Sequence, residues 1–434
     1  MNADDECDVL IAGGGPAGSS MATRLSQCGY RAVVLERERF PRFHIGESLL
    51  PHSMDLLHTL GVYGKVASAG FVPKWGASFV LGDGSRQTSY YFDNSLVPGR
   101  PGAYQVLRSR FDHLLLEHSR EQGADVREGH TLKEVTVDGD HVRASVRGPD
   151  GGAYTVRARF FADATGRDAF LATRTRTRRL DPLLNHVALF AHFEGVRRDE
   201  GRDAGNTISV AIRGGWIWFI PLADGITSIG VVIDPEMLKA SRLAPDAYFE
   251  QVLASVPAIH QRLSAAHRRS IVYTASDFSY KTGPLFGPRH IVLGDAGFFL
   301  DPIFSSGVHL AISSGVYGAE AVDVYLRRGA TRALRRYERR MHQSQDLFFQ
   351  FIHGWYRKGF LELFLSPTRH FQMVPAIVAV LAGAATVSWR VWIRMQIFFL
   401  IAWLNHFVPL TPHIDRARLP PYDDREPSAT AATA

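Results

Sequence analysis

Cysteine is scarce in this sequence, with only Cys7 and Cys28 among 434 residues. Two thiols so close to the start cannot form the framework of a disulfide-stabilised extracellular domain. The opening residues MNADDECDV are acidic, whereas a secretory leader begins with basic and then apolar residues. We therefore expect the protein to work in the reducing cytoplasm.

Patterns for metal and nucleic-acid binding are also missing. The 18 histidines are dispersed and no zinc-ligand spacing occurs, so no metal site is predicted. The formal net charge is +6, but the basic residues are spread widely and accompany no nucleic-acid-binding motif. One local basic run, Arg167–Arg179, is typical of a solvated connecting loop. The alternative is that it docks an acidic carrier protein or a reductase.

Apolar runs long enough to span a membrane are lacking. The longest candidate, Met373 to Trp389, has 17 residues without charge, fewer than the ~20 that a spanning helix needs. Arg390 and Arg394 interrupt any longer run, and a second aromatic-rich helix is predicted over Val391 to Leu404. A buried helical cap is the favoured interpretation, and peripheral membrane contact is the less favoured one.

The first forty residues follow a strand–helix–strand pattern. Residues 8–13, apolar after Asp8, predict a buried strand. Residues 16–27 predict a helix that stops at Gly29, and 31–36 predict a second strand. Such a βαβ unit requires a parallel sheet.

Alternating segments further along predict antiparallel strands. They include 131–146, 154–162, and a hairpin in which Asp224-Gly225 joins Trp216–Leu222 to Thr227–Ile233. The sequence therefore predicts an α/β protein with a second, antiparallel sheet.

Three glycines mark a dinucleotide site at the first strand-to-helix junction. Gly13, Gly15 and Gly18 form G-x-G-x-x-G, which permits a tight turn, close approach of a pyrophosphate, and contact between helix and strand. Glu36 ends the next strand, where a carboxylate can accept hydrogen bonds from a ribose diol. The motif is weak alone, but this context makes it specific.

A second signal follows the predicted strand Ile291–Gly294. Gly294-Asp295 precedes Asp301-Pro302 and the small-residue start of a long helix, Ser305-Ser306-Gly307. An acidic side chain here can hold hydroxyl groups, and backbone amides at the helix N-terminus can face an electron-rich ring.

These motifs, with Asp163-Ala164-Thr165-Gly166-Arg167, resemble the para-hydroxybenzoate-hydroxylase superfamily over roughly residues 5–340. The resemblance implies the FAD-binding fold of glutathione reductase and that hydroxylase, with an interleaved antiparallel substrate sheet. It implies FAD as cofactor, and because no second glycine-rich junction offers an NAD(P)H domain, reduced FAD would come from a separate flavin reductase. It also implies the FAD-binding residues Gly13, Gly15, Ala17, Gly18, Glu36, Arg37, Glu47, Ser48, Arg108, Asp295, Pro302, Gly307 and Val308.

The domain organisation expected from this resemblance has three parts. Residues 1–345 form the FAD-binding module, whose substrate-side sheet lies mainly in 75–105 and 180–270. Residues 346–415 form a helical C-terminal domain, and 416–434 form a tail that is largely disordered.

Two further motifs resemble the flavin-dependent halogenases. They are Gly46-Glu47-Ser48 followed by Lys74, and Trp216-Ile217-Trp218-Phe219-Ile220-Pro221, which matches the W-x-W-x-I-P pattern in full. Trp216 and Trp218 share one face of a strand and would form a wall that keeps substrate from the flavin. Lys74 lies in an apolar segment where its pKa is open to depression, and it resembles the catalytic lysine of that family.

The resemblance departs from the branch that halogenates tryptophan. That branch carries Leu-Glu-Ser-Thr where this chain has Ile303-Phe304-Ser305-Ser306, so its catalytic glutamate is replaced by Phe304. The chain resembles instead the branch that acts on phenols and pyrroles. In that branch Ser305 counts among the catalytic residues, and the backbone amides at Ser306 and Gly307 hold the halide.

The implied reaction is halogenation of an electron-rich aromatic ring with reduced FAD, O2 and chloride or bromide. The substrate would be an aromatic small molecule, free or bound to an acyl or peptidyl carrier protein. The rival enzymes are an aromatic hydroxylase and a flavin-dependent prenyl-chain reductase, and the rival of another class is a flavoprotein that only docks a carrier. Asp277 or Tyr280, just before the Gly294-Asp295 strand, could reach the flavin, although ordinary strand residues are the simpler interpretation.

Overall fold

The structure is a computed structural model that describes residues 5–276, 279–366, 373–384 and 389–421. Its strands are β1 (Asp5–Ala12), β2 (Ala32–Glu36), β3 (Val72–Lys74), β4 (Gly76–Leu81), β5 (Gln87–Tyr91), β6 (Ala103–Gln105), β7 (Asp125–Glu128), β8 (Thr131–Asp138), β9 (His141–Arg147), β10 (Ala153–Asp163), β11 (Arg179–Leu180), β12 (Val187–Glu194), β13 (Thr207–Ile212), β14 (Gly215–Pro221), β15 (Thr227–Ile233), β16 (His267–Arg268), β17 (Tyr273–Ala275), β18 (Tyr280–Lys281), β19 (Phe286–Gly287), β20 (His290–Val292) and β21 (Phe298–Phe299). Its helices are α1 (Pro16–Gln27), α2 (Pro51–Thr59), α3 (Tyr63–Ser68), α4 (Arg108–Glu121), α5 (Phe170–Thr175), α6 (Pro235–Ser241), α7 (Pro245–Ser255), α8 (His260–Leu263), α9 (Gly307–Arg328), α10 (Thr331–Trp355), α11 (Lys358–Phe364), α12 (Met373–Leu381) and α13 (Trp389–Phe407).

The central sheet has the order β19-β20-β10-β1-β2-β7. Strand β1 pairs in parallel with β2 and β10, as its continuous apolar run predicts for a strand buried on both faces. Strand β10 was expected to be antiparallel, but only its first half pairs that way, with β9. Its other edge pairs in parallel with β1 over 156–163, and 161–163 pair in parallel with β20 beyond the end of β9. Because β10 is 11 residues long, it extends past β9 and joins the nucleotide-binding side of the sheet.

Helices α1 and α9 pack closely on this sheet, and a glycine makes the contact possible. A Cβ atom at Gly315 of α9 would lie 2.4 Å from the carbonyl oxygen of Ala17 in α1. The two helix N-termini therefore approach the same edge of the sheet, where β1 and β10 end.

The second sheet has the order β16-β12-β15-β14-β13-β4-β5 and lies in the regions expected for a substrate-side sheet. Every residue of β13, β14 and β15 is buried. One face, with Trp216 and Trp218, joins the main core, and the other, with Ile217 and Phe219, packs in a second core with residues of α7.

The C-terminal part differs from the expected boundaries. Helix α10 runs without interruption from Thr331 to Trp355, across the boundary expected at residue 345. No proline or glycine occurs between Thr331 and His353 to end the helix there. Residues 416–421, expected within a disordered tail, are packed: Leu419 is buried and the Pro420 carbonyl accepts a hydrogen bond from the Arg213 amide.

The expected helix Met373–Trp389 is also corrected. Helix α12 ends at Leu381, and Gly383 follows with φ +91°, a conformation that glycine tolerates. Helix α12 is buried, as a cap would be, but one face of α13 is exposed to solvent. No helix in the described residues is long and apolar enough to cross a membrane.

Candidate active site

A cavity of about 660 Å³ opens where β1 and β10 end, beside the N-termini of α1 and α9. Strand β14 forms its far wall. Ligands of open α/β sheets bind outside the carboxyl ends of the strands, so this is the expected place for a dinucleotide. All thirteen residues predicted to bind FAD, except Gly18, line the cavity.

Each of the three motif glycines is needed for its own structural reason. A Cβ at Gly13, whose φ is +105°, would lie 2.2 Å from the Ala164 carbonyl oxygen, and one at Gly18 would lie 1.9 Å from the Gly13 carbonyl oxygen. A Cβ at Gly15 meets no protein atom closer than 3.4 Å, which is the Arg42 guanidinium. Gly13 and Gly18 therefore close the strand–helix turn, whereas Gly15 leaves room in the cavity.

The edge of the cavity nearest β2 carries Glu36 and Arg37. The Glu36 carboxylate accepts hydrogen bonds from the amides of Gly14 (2.7 Å) and Glu38 (2.8 Å), which fixes its position at the end of the strand. Arg37 is exposed and forms an ion pair with Asp168 across the opening. Glu36, predicted to bind a ribose, and Arg37, predicted to bind FAD, are thus both held in place by local contacts.

Asp295 and Arg108 lie further inside. Burial raises the pKa of Asp295 to about 6, against the opposing effect of Arg108 and Arg167. Arg108 binds Asp112 with two hydrogen bonds of 2.7 and 2.8 Å and also donates to the Ile45 carbonyl. Arg108 therefore braces the loop before Gly46 while it borders the cavity.

The basic run after Arg167 is not simply a solvated loop. Arg167 and Arg174 line the cavity, and Arg174 lies over the Phe170 ring at 3.5 Å. Part of the run forms α5, because Phe170 is anchored in the core. Asp277 lies outside the described residues, and the Tyr280 hydroxyl donates to the Asp295 carbonyl at 2.7 Å.

The start of α9 presents backbone amides to the cavity. Ser305 has φ +56° and precedes Ser306, the residue that caps the 22-residue helix. The Ser306 hydroxyl is buried and has no hydrogen-bond partner among the described residues, and Gly307 is open to the cavity. A left-handed residue before a helix N-terminus forms a concavity that favours anions.

Trp216 and Trp218, the two residues predicted to form a wall, lie on the side of the cavity that β14 forms. Both side chains line the cavity from β14, with ring centroids 5.8 Å apart. A Cβ at Gly230, directly opposite on β15, would lie 2.1 Å from the Trp218 ring, so this glycine makes space for the indole. The Trp218 ring nitrogen donates to the Ser228 hydroxyl at 3.1 Å, which fixes the ring orientation.

Lys74 does not line the cavity but contacts Ser48, which does. Its Nζ atom donates to the Ser48 hydroxyl at 2.8 Å and to the Leu49 carbonyl at 3.2 Å, and only 1% of the residue is exposed. Burial lowers the pKa of Lys74 to about 7. Burial therefore favours the neutral amine over the ammonium at this position.

Sequence reasoning missed the residues that connect Lys74 to the cavity. Thr207 lines the cavity, and its hydroxyl lies 2.9 Å from the Ser48 hydroxyl and 2.9 Å from the Gln105 side-chain nitrogen. His192 pairs with the buried Glu47 carboxylate at 2.8 Å. Of these residues, only Glu47 and Ser48 belong to a recognisable sequence motif. Gln105, His192 and Thr207 lie on three separate strands, which come close to that motif only in the folded chain.

Phe304, which stands where tryptophan halogenases carry glutamate, is buried among aromatic rings. Its ring lies 5.8 Å from that of Phe351, 6.1 Å from Phe364 and 6.3 Å from Trp355, measured between centroids. These partners belong to α10 and α11, so the C-terminal helices complete the apolar surroundings of this position. No cluster of three possible metal ligands occurs within the described ranges.

Comparisons with known proteins agree with this geometry. The FAD binding domain family model matches residues 6–350. The flavin-dependent halogenase gsfI of Penicillium aethiopicum is 34% identical over 75% of this chain and 66% of its own length. The 1H-pyrrole-2-carbonyl-[peptidyl-carrier protein] brominase of Pseudoalteromonas luteoviolacea is 33% identical over 73% of this chain and 77% of its own. The solved flavin-dependent brominase Bmp2 superposes with a TM-score of 0.82 and 26% identity, covering 91% of this chain and 98% of that one.

The fold, the glycine junction and the family match define a flavoprotein with an FAD-binding domain. With its tryptophan wall and its buried lysine, the chain belongs to the family of flavin-dependent halogenases. It spans about two thirds of the length of the Penicillium relative.

Proposed function

We propose that this protein uses reduced FAD, O2 and chloride or bromide to halogenate an electron-rich phenolic or pyrrolic ring. The observation that carries this proposal is the position of Lys74: Trp216 and Trp218 line the cavity, whereas Lys74 does not line it and contacts it only through Ser48. A hydroxylase must bring its substrate to the flavin, whereas a halogenase needs only a small oxidant to cross between the sites.

The FAD would be held by the residues that line the cavity. Gly15 leaves room for the pyrophosphate at the N-terminus of α1, and Gly13 closes the turn before it. Glu36 and Arg37 would bind the adenosine ribose, and Asp295 would accept hydrogen bonds from the ribityl chain. Ala17, Glu47, Arg108, Pro302 and Val308 complete the walls. When bound and reduced, FAD would supply two electrons to O2, so that halide and a proton become hypohalous acid and water forms alongside.

The halide would bind at the start of α9. The backbone amides at Ser306 and Gly307 and the unpartnered Ser306 hydroxyl supply donors, and the helix N-terminus favours negative charge. Ser305 would keep these amides aimed at the cavity through its left-handed backbone.

Lys74 would direct the halogen. Its buried Nζ can donate a hydrogen bond to hypohalous acid as an ammonium or accept the halogen as an amine, and a pKa of about 7 makes both forms available. The ring then takes the halogen and loses a proton, and water is the second product.

The substrate class follows from Phe304. An apolar ring in an aromatic cluster cannot act as a base, so the substrate must itself be activated by a hydroxyl group or a pyrrole nitrogen. We propose a carrier-protein-bound acyl group as one form of substrate, because one relative is named for such a substrate. A separate flavin reductase would supply reduced FAD.

The proposal is tested by product mass with the purified holoprotein, a flavin reductase, NADH, and chloride or bromide. We expect a mass increase of one halogen for a free phenol or a pyrrolyl-carrier protein, and no product when the reductase is left out. A hydroxylated product, or reduction of an isoprenoid double bond without halide, would identify one of the rival activities instead.

The tryptophan wall provides a second prediction. We expect Trp218→Leu to divert several-fold more of the reducing equivalents into hydrogen peroxide or hydroxylated product, because it opens the flavin side of the cavity. Phe219→Leu is the matched control, since Phe219 is equally buried on the same strand but faces the second core. Peroxide release and product spectrum are measured per reduced FAD consumed, and identical results for the two variants would make Trp218 a packing residue only.

A further inference from the structure

Helix α13 has apolar residues on two opposite faces. Val391, Met395, Phe398 and Ala402 are buried, and the helix packs against α11 and α12. On the other side, large apolar side chains are 36 to 68% exposed. This exposed stripe consists of Trp389, Trp392, Ile393, Ile397, Leu400, Trp403, Leu404 and Phe407.

The exposed stripe is continuous along the helix. Its members recur at intervals of three and four residues, which places them on one side of an α-helix. Nineteen residues span about 28 Å at ~1.5 Å per residue. Exposed apolar patches of such extent mark contact surfaces in proteins.

The chain itself offers little to cover the exposed stripe. The segments 367–372, 385–388 and 422–434 read PTRHFQ, ATVS and YDDREPSATAATA. Together they contain three large apolar side chains, against eight in the stripe. The described residues of the chain leave the exposed stripe open to solvent.

The charged residues of α13 itself are of one sign. No aspartate or glutamate occurs between Glu362 and Asp415, whereas Arg390 and Arg394 lie on α13 itself. Arg390 is exposed beside Trp389, with its guanidinium 5.8 Å from the ring centroid. Two copies of this helix would bring like charges together, whereas anionic lipid headgroups would neutralise them.

We propose that α13 binds the surface of an anionic lipid bilayer and lies parallel to it. The exposed stripe enters the boundary between headgroups and acyl chains, where tryptophan is favoured, and the arginines meet the phosphates. Since α13 carries two arginines and no described helix can span a bilayer, the helix lies on the membrane and does not cross it.

The test is flotation of the full-length, FAD-loaded protein with lipid vesicles. One set contains phosphatidylcholine alone, and the other contains one third phosphatidylglycerol. We expect at least ~10-fold stronger partitioning to the anionic vesicles, and a further ~100-fold loss in the triple variant Trp392→Ser, Leu400→Ser, Trp403→Ser. The matched control is Leu183→Ser with Ile271→Ser, which removes residues that are 65% and 69% exposed outside α13.

A second variant tests the charge contribution alone. Arg390→Glu should lower partitioning to the anionic vesicles several-fold and leave binding to neutral vesicles unchanged, and added salt should reduce the difference. The proposal is overturned if neither vesicle binds the protein, or if the stripe variant and the control lose binding equally. It is also overturned if the stripe variant only converts a dimer to a monomer, or only weakens binding of an acidic carrier protein.

Discussion

Replacing Lys74 by methionine should lower the yield of halogenated product by at least ~1000-fold while FAD remains bound. Misplacement of a catalytic group by about 1 Å already costs ~100-fold, and this variant removes the group altogether. Lys74 Nζ contacts Ser48 and Leu49 but does not line the flavin cavity, so the cofactor should be unaffected. The measurements are product mass, flavin absorbance, and hypohalous acid captured by a thioether.

The expected signature is continued release of hypohalous acid without transfer to the ring. Lys65→Met is the control, because Lys65 is an exposed lysine paired with Glu121. Near-normal halogenation in Lys74→Met would remove Lys74 from the mechanism. Loss of bound flavin or of hypohalous acid would make it a flavin-site residue instead.

The stability of the same variant tests whether Lys74 is buried. Burial lowers the pKa of Lys74 to about 7, below its ordinary value of 10.5. Between those values the unfolded chain binds the proton and the folded protein does not, so wild-type stability rises with pH across that window. Lys74→Met lacks this dependence and should be the more stable protein below pH 7, by at most about 5 kcal/mol before its lost hydrogen bonds are counted.

Chemical denaturation at pH 6.5 and near pH 10 measures this difference. We expect the stability advantage of Lys74→Met to shrink as the pH rises towards 10.5, because removing the proton from the lysine of the unfolded chain then costs progressively less free energy. An advantage that does not change with pH would mean that Lys74 is not buried.

Replacing Gly15 by leucine should weaken FAD binding by at least ~100-fold and leave the fold intact. Gly15 has φ −69°, which any residue adopts, and a Cβ there meets nothing closer than 3.4 Å. The larger side chain therefore occupies the space meant for the pyrophosphate at the start of α1. Flavin fluorescence titration measures the affinity, and thermal unfolding of the FAD-free protein checks the fold.

Substitutions at two further glycines serve as controls for Gly15→Leu. Gly64→Leu should change neither property, because a Cβ at Gly64 meets no atom within 4 Å and the residue lies outside the cavity. Gly18→Ala should lose both FAD binding and the stability of the fold, because its Cβ would lie 1.9 Å from the Gly13 carbonyl oxygen. Stoichiometric FAD in Gly15→Leu would place the dinucleotide elsewhere.

The local features of the chain were predictable because they depend on neighbours in sequence. The β1–α1–β2 unit, the roles of Gly13 and Gly18, and the shared face of Trp216 and Trp218 follow from backbone periodicity and the lack of a Cβ. Errors arose where a local pattern had two solutions. Strand β10, expected to be antiparallel, pairs in that way with β9 over 153–158 but pairs in parallel with β1 over 156–163 and with β20 over 161–163.

The sequence by itself determined the class of the protein, since its glycine, tryptophan and lysine motifs are short and need no distant partner to be recognised. Only the tertiary structure decided how those motifs act together. Ser48, Lys74, Gln105 and Thr207 come from four separate segments, and their contacts exist only after the two sheets pack. Likewise, α13 has apolar residues on nearly every side, so its sequence could not tell which face is buried. Packing against α11 and α12 covers one face and leaves the other to solvent.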